Sequence, residues 1–137
     1  MKTFLPHSTI LLALLVAGML LSSCKKEKEN DPHVPPAMAF TTGAGYTSAN
    51  AVVGQQDTLL MEVTVDKTED ALTSLNISSS YDGAASTTVF NESITTDHYV
   101  HAQEVITRAQ AGTEKYTFTA VDHDGNITSN SILLTVQ

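Results

Sequence analysis

The chain has no tryptophan and a single cysteine, Cys24, among its 137 residues. One thiol cannot build an intramolecular disulfide framework, and a zinc ribbon or iron–sulfur site needs several thiolates. Basic residues are scarce too: 7 Lys+Arg stand against 15 Asp+Glu, for a formal net charge of −8. Nucleic-acid affinity rests largely on Lys and Arg displacing counterions from phosphates, so the composition argues against a nucleic-acid partner. No proline follows Pro36, and no stretch shows a 3.6-residue apolar repeat that would predict an amphipathic helix. The length leaves room for one domain, not two.

What the sequence does contain begins with an address. Ile10 to Leu21 is an unbroken run of small and apolar residues, preceded by Lys2 and followed at once by polar sequence. As a helix it would rise only about 18 Å, short of the roughly 30 Å hydrocarbon layer, so it reads as a signal-peptide core rather than a membrane span. Leu21-Ser22-Ser23-Cys24 resembles the lipobox of bacterial lipoproteins. That resemblance implies cleavage after residue 23, a diacylglyceryl thioether on Cys24 and acylation of the new amino terminus. Two or three acyl chains, at about 0.8 kcal/mol per buried methylene, make a stable membrane anchor.

Residues 24–36 read as a tether, because every residue of Lys25-Lys-Glu-Lys-Glu-Asn-Asp31 but Asn30 is charged and Pro32, Pro35 and Pro36 favour extended backbone. At about 3.1 Å per residue this segment can reach on the order of 40 Å. The Lys-plus-acidic run after the cysteine resembles the surface-export signal of Bacteroidetes outer-membrane lipoproteins, although here acids and lysines are interleaved. By that resemblance the expected location is the outer membrane, at the cell surface rather than facing the periplasm.

Residues 37–137 predict an all-β domain. In Thr58–Asp66 the residues Leu59, Met61, Val63 and Val65 fall on one face; Tyr116, Phe118 and Ala120, then Ile132, Leu134 and Val136, repeat the two-residue period. Weaker strand signals cover Ser74–Tyr81, Ser86–Asn91 and His98–Thr107, with Met38–Thr42 or Ala51–Val53 opening the sheet. Asp82-Gly83, Ala111-Gly112 and Asp124-Gly125-Asn126 mark turns. About seven antiparallel strands in a hundred residues favour an immunoglobulin-like β-sandwich. The closing segment, with Asp122, Gly125, Asn126 and Ser129 ahead of an alternating strand, resembles the final hairpin of bacterial Ig-like domains. The buried Trp and paired cysteines of antibody domains are absent, and Tyr116 occupies either a tyrosine-corner position or a plain core position.

No constellation for catalysis stands out, and the expectation is a non-enzyme. His98 and His101, three apart in a strand, point to opposite faces and cannot share a metal. If the strands alternate up and down, the loops carrying Asp66, Glu69, Asp70, Asp97, Asp122 and Asp124 meet at the tether end, and these six acids are the candidate calcium ligands. Against that, Asp-x-Asp-Gly-Asn departs from the EF-hand pattern, with Ile127 and Leu133 where Gly and Glu belong, and acids favour turns for backbone reasons alone. No other cofactor is expected. The functions left open are a lipid-anchored envelope module with a non-catalytic binding, adhesion or assembly role towards a protein or glycan partner, a calcium-stabilised spacer or periplasm-facing subunit of an envelope complex, and a glycan-binding surface lipoprotein. Tyr46, Tyr81, Tyr99 and Phe90 are the aromatic candidates for that last role. Asn76, Asn91 and Asn126 head sequons, and Asp57-Thr58-Leu59 resembles a Bacteroidetes O-glycosylation motif; both patterns arise readily by chance in a Ser/Thr-rich chain.

Overall fold

Strict alternation of apolar and polar residues, with β-branched side chains at many positions, drives the chain from Ala37 onward into pleated sheet. The computed structural model describes residues 33–137, which form one compact unit. The signal segment, Cys24 and the charged run 25–31 lie outside the described residues. Eight strands follow in order: β1 (Ala37–Phe40), β2 (Ala51–Val53), β3 (Thr58–Asp66), β4 (Leu72–Tyr81), β5 (Thr87–Ser93), β6 (His98–Ile106), β7 (Gly112–Asp122) and β8 (Ile127–Val136). They form a three-stranded sheet, β1-β3-β6, facing a five-stranded sheet, β2-β8-β7-β4-β5. This is an immunoglobulin-like β-sandwich, whose amino-terminal edge is shared between the two sheets.

Two details differ from the sequence expectation. Both candidate opening segments are strands, which brings the number to eight, and β2 pairs with β8 in parallel (Ala51 with Leu134, Val53 with Val136). The physical reason is that the chain crosses from one sheet to the other between β1 and β2, and so reaches β8 running in its direction. The remaining pairings are antiparallel.

The core lies between the sheets. Met61, Val63 and Val65 from β3 meet Leu75 and Ile77 from β4, Phe118 and Ala120 from β7, and Ile132 and Leu134 from β8, all fully buried. Phe118 is the largest of them, and Phe40 from β1 meets its ring edge-on, with centroids 5.1 Å apart and planes at 89°. At the β5–β6 side the sheets are joined by rings instead of aliphatic packing. Phe90 stacks on His101 with centroids 3.9 Å apart, Tyr99 lies parallel to His101 at 6.5 Å, and the Tyr99 hydroxyl donates to the Glu92 carboxylate.

Burial first, and the Glu92 carboxylate second, push the Tyr99 hydroxyl up to about 12 from 10.0. A folded-state value above the unfolded one contributes stability that is fully present below pH 10 and is lost as pH rises towards 12. Alkaline denaturation followed by circular dichroism should therefore steepen across that interval, and Tyr99→Phe should flatten it. An unchanged profile in that variant would show that the ring seam, not the hydroxyl, is what matters there.

Candidate functional site

Antiparallel β-strands alternate direction, so the β3–β4, β5–β6 and β7–β8 connections emerge at one end of the sandwich. Short hydrogen bonds tie them together there. The Lys67 N–H donates to the Asp97 carbonyl at 2.9 Å, the Ile94 N–H to the Thr73 carbonyl at 2.8 Å, and the His123 N–H to the Ala71 carbonyl at 2.9 Å. The segment leading into β1 is fastened at the same end: the Thr68 hydroxyl donates to the carbonyls of Val34 and Pro35, and the Thr128 hydroxyl to that of Pro36. The loops and the incoming chain thus meet where the sequence placed them.

The six acids do not converge with the loops. Asp66 pairs with His98 Nδ1 at 2.6 Å, and Asp97 accepts from Lys67 Nζ at 3.1 Å. Asp122 is buried, and its two oxygens accept from the main-chain N–H of Asn126 at 2.8 Å and from the Asn126 amide at 3.0 Å. Glu69 and Asp124 also have partners of their own. Among the described residues no group of three or more His, Cys, Asp or Glu side chains stands close enough to hold a metal ion. The calcium set read from the sequence is therefore not gathered into one group: Asp66, Asp97 and Asp122 each take a donor of their own, which offsets the carboxylate repulsion that a calcium ion would relieve.

Asp70 is the exception in this group, since its Oδ2 is shielded from solvent and meets no hydrogen-bond donor. A carboxylate oxygen in that position is a cost to the fold. In urea denaturation, Asp70→Ala should leave the unfolding free energy unchanged or raise it by up to about 1 kcal/mol. A loss of more than about 1 kcal/mol would mean that Asp70 is held by an interaction the geometry does not contain.

The opposite end carries a second polar constellation, centred on the β4–β5 turn. Asp82 (φ 49°) and Gly83 (φ 76°) form a tight turn closed by the Ala84 N–H on the Tyr81 carbonyl at 2.8 Å. Asp82 accepts from Arg108 Nη1 at 2.5 Å and from the Thr113 N–H at 2.8 Å. These two bonds hold its carboxyl below the usual carboxylate range, the Thr113 amide contributing most. The guanidinium lies 5.9 Å from the Tyr81 ring centroid. Gly112 is required here, because a Cβ would stand 2.5 Å from an Asp82 oxygen and 2.9 Å from the guanidinium. Tyr81, Asp82, Arg108, Ala109 and Gln110 line an open hollow of about 380 Å³.

Behind this hollow, Glu114 is fully buried and accepts the Arg108 N–H at 2.6 Å and the Tyr116 hydroxyl at 2.9 Å. Burial, then the Glu114 carboxylate, push the Tyr116 hydroxyl up. Tyr116 is a core residue bonded to a side chain, not a tyrosine corner. His98 and His101 lie on opposite faces as expected, one on Asp66 and the other on Phe90.

No protein-family profile matches the sequence, and no curated protein matches it. Among solved structures, the CARDB domain of a Pyrococcus furiosus protein in complex with di-metal ions is similar at 14% identity, with 77% of this chain and 97% of that one covered and a TM-score of 0.46. Murine CRIg is similar at 11% identity, covering 74% and 98%, with a TM-score of 0.39. The strand order by itself defines the class, an immunoglobulin-like module.

Proposed function

We propose that the chain is a lipid-anchored module of the bacterial cell envelope, acylated at Cys24 and held off the outer membrane by residues 24–36. Its β-sandwich works by binding, adhesion or assembly rather than by catalysis. The observation that carries this reading is the fastening of the incoming chain at the loop end, through Thr68 and Thr128 on the carbonyls of Val34, Pro35 and Pro36. A domain hung from that end turns the sheet edges and the Tyr81–Arg108 end outward, where a partner can reach them. The test is metabolic labelling with a fatty acid, with detergent-phase partitioning of the full chain. Label and partitioning in the native protein, both lost in Cys24→Ser, support the reading. An unlabelled native protein in the aqueous phase would overturn it, and protease treatment of intact cells reports which membrane face is occupied.

A glycan partner is the second reading, favoured by one observation: the Tyr81 ring is 45% exposed beside the hollow lined by Asp82, Arg108 and Gln110. Flat apolar rings beside hydrogen-bonding groups suit sugar faces. Glycan-array binding that disappears in Tyr81→Ala supports it; an array without binding removes it.

A further inference from the structure

A β-sandwich exposes unpaired N–H and C=O groups along the edges of its sheets, and proteins protect such edges by keeping them short, bulged, charged or proline-bearing. This sandwich has four edges: β1, β2, β5 and β6. Two are short, since β1 has four residues and β2 three. The third, β5, carries a break in register opposite Ile77 and Ser78, where Phe90 and Thr88 are the consecutive partners and Val89 is left over as a bulge. The fourth, β6, is nine residues long, in unbroken register with β3, and contains no proline, lysine or arginine. Its guard is a single carboxylate, Glu104, so among the described residues it is the longest unbroken edge.

The chemistry of that edge follows from its pairing. The bonds from the Lys67 N–H to the Asp97 carbonyl and from the Thr107 N–H to the Asp57 carbonyl bracket the β3–β6 ladder. With hydrogen-bonded pairs recurring every second residue, Tyr99, His101, Gln103 and Val105 bond to β3. His98, Val100, Ala102, Glu104 and Ile106 aim their N–H and C=O groups away from the sheet. All five are exposed, Val100 at 48% and Ile106 at 63%. Two of these carbonyls are lightly capped, that of His98 by the Thr96 hydroxyl and that of Glu104 by the Gln103 amide, both at 2.8 Å, and each keeps a second lone pair.

We propose that the β6 edge is a docking surface for a second copy of this chain, the two β6 strands pairing antiparallel so that the three-stranded sheets join into one of six strands. Charge decides between a copy and a foreign strand. In a two-fold antiparallel register centred on His101, each His98 faces the Glu104 of the second copy and each Val100 faces its Ala102. Each end sets the His98 ring against a carboxylate and Val100 meets Ala102 on either side of the axis; on the axis the two His101 residues oppose each other, each ring stacked on Phe90 of its own chain. A single strand that complements itself in this way needs no other partner to satisfy its edge. The net charge of −8 opposes association, so added salt strengthens the dimer.

The test is sedimentation equilibrium of the full chain in density-matched detergent, where only protein mass counts. The native chain is expected to form a dimer that tightens with salt. Ala102→Lys places a charge in the middle of the edge, Glu104→Lys sets a cation against His98, and each weakens the dimer by at least about tenfold. Ser131→Lys, on the exposed face of β8 in the other sheet, leaves it intact. A native chain that stays monomeric to about 100 µM overturns the proposal, as does a dimer that both edge variants retain. Sensitivity to Ala102→Lys with none to Glu104→Lys overturns the pairing with a second copy, because another partner would not set Glu104 against His98. Matching melting curves of the variants separate edge effects from unfolding.

Discussion

Replacing Phe118 by alanine is expected to cost about 3–5 kcal/mol, the largest loss from any single truncation in the domain. The ring is fully buried at the middle of β7, between Ile77 on β4 and Asn130 on β8 in the ladder, and is met edge-on by Phe40 from the opposite sheet. Alanine would remove both the transfer free energy of the ring and its contacts with Phe40, leaving a cavity that two sheets pinned by hydrogen-bonded ladders cannot collapse. Small domains are stable by only about 5–15 kcal/mol, so the variant should be partly unfolded near physiological temperature. Urea denaturation followed by far-ultraviolet circular dichroism measures this, since the chain has no tryptophan to report by fluorescence. Phe40→Ala, at a half-buried ring, should cost clearly less. Equal losses would mean that the core is centred on the β1 side instead.

Glu114→Ala should come close behind, at about 3–5 kcal/mol, by a different mechanism. It would orphan two buried donors at once, the Arg108 N–H and the Tyr116 hydroxyl. Glu114→Gln separates charge from hydrogen bonding. Its carbonyl oxygen can accept from Arg108 while its amide donates to the Tyr116 oxygen, so the loss should stay within about 1 kcal/mol. A glutamine variant as unstable as the alanine one would show that the negative charge itself is required.

Much of this arrangement is legible in the sequence. The two-residue period of β7 places Tyr116, Phe118 and Ala120 inward, and carrying the same parity two residues further each way places Glu114 and Asp122 inward as well. The signal for two buried acids was present; the general preference of acids for solvent obscured it. The parallel pairing of β2 could not be read, because a three-residue strand carries no directional pattern and its partner is set by where the chain crosses between sheets. The meeting of the loops was legible because strand direction alternates. The fate of their carboxylates was not, because Lys67 and Asp97 are 30 residues apart and Asp66 and His98 are 32 apart, and nothing in local spacing announces such pairs.

The fastening of the incoming chain also bears on mechanics. A load drawn through the residues before Ala37 runs along the axis of β1, so its four rungs to β3 are strained together in shear rather than opened one by one like a zipper. The bonds from Thr68, Thr128 and the Asn130 amide to the carbonyls of Val34, Pro35, Pro36 and Met38 share that load with β8 and the β3–β4 loop. The entry of the chain into the sandwich is thereby built to withstand pulling.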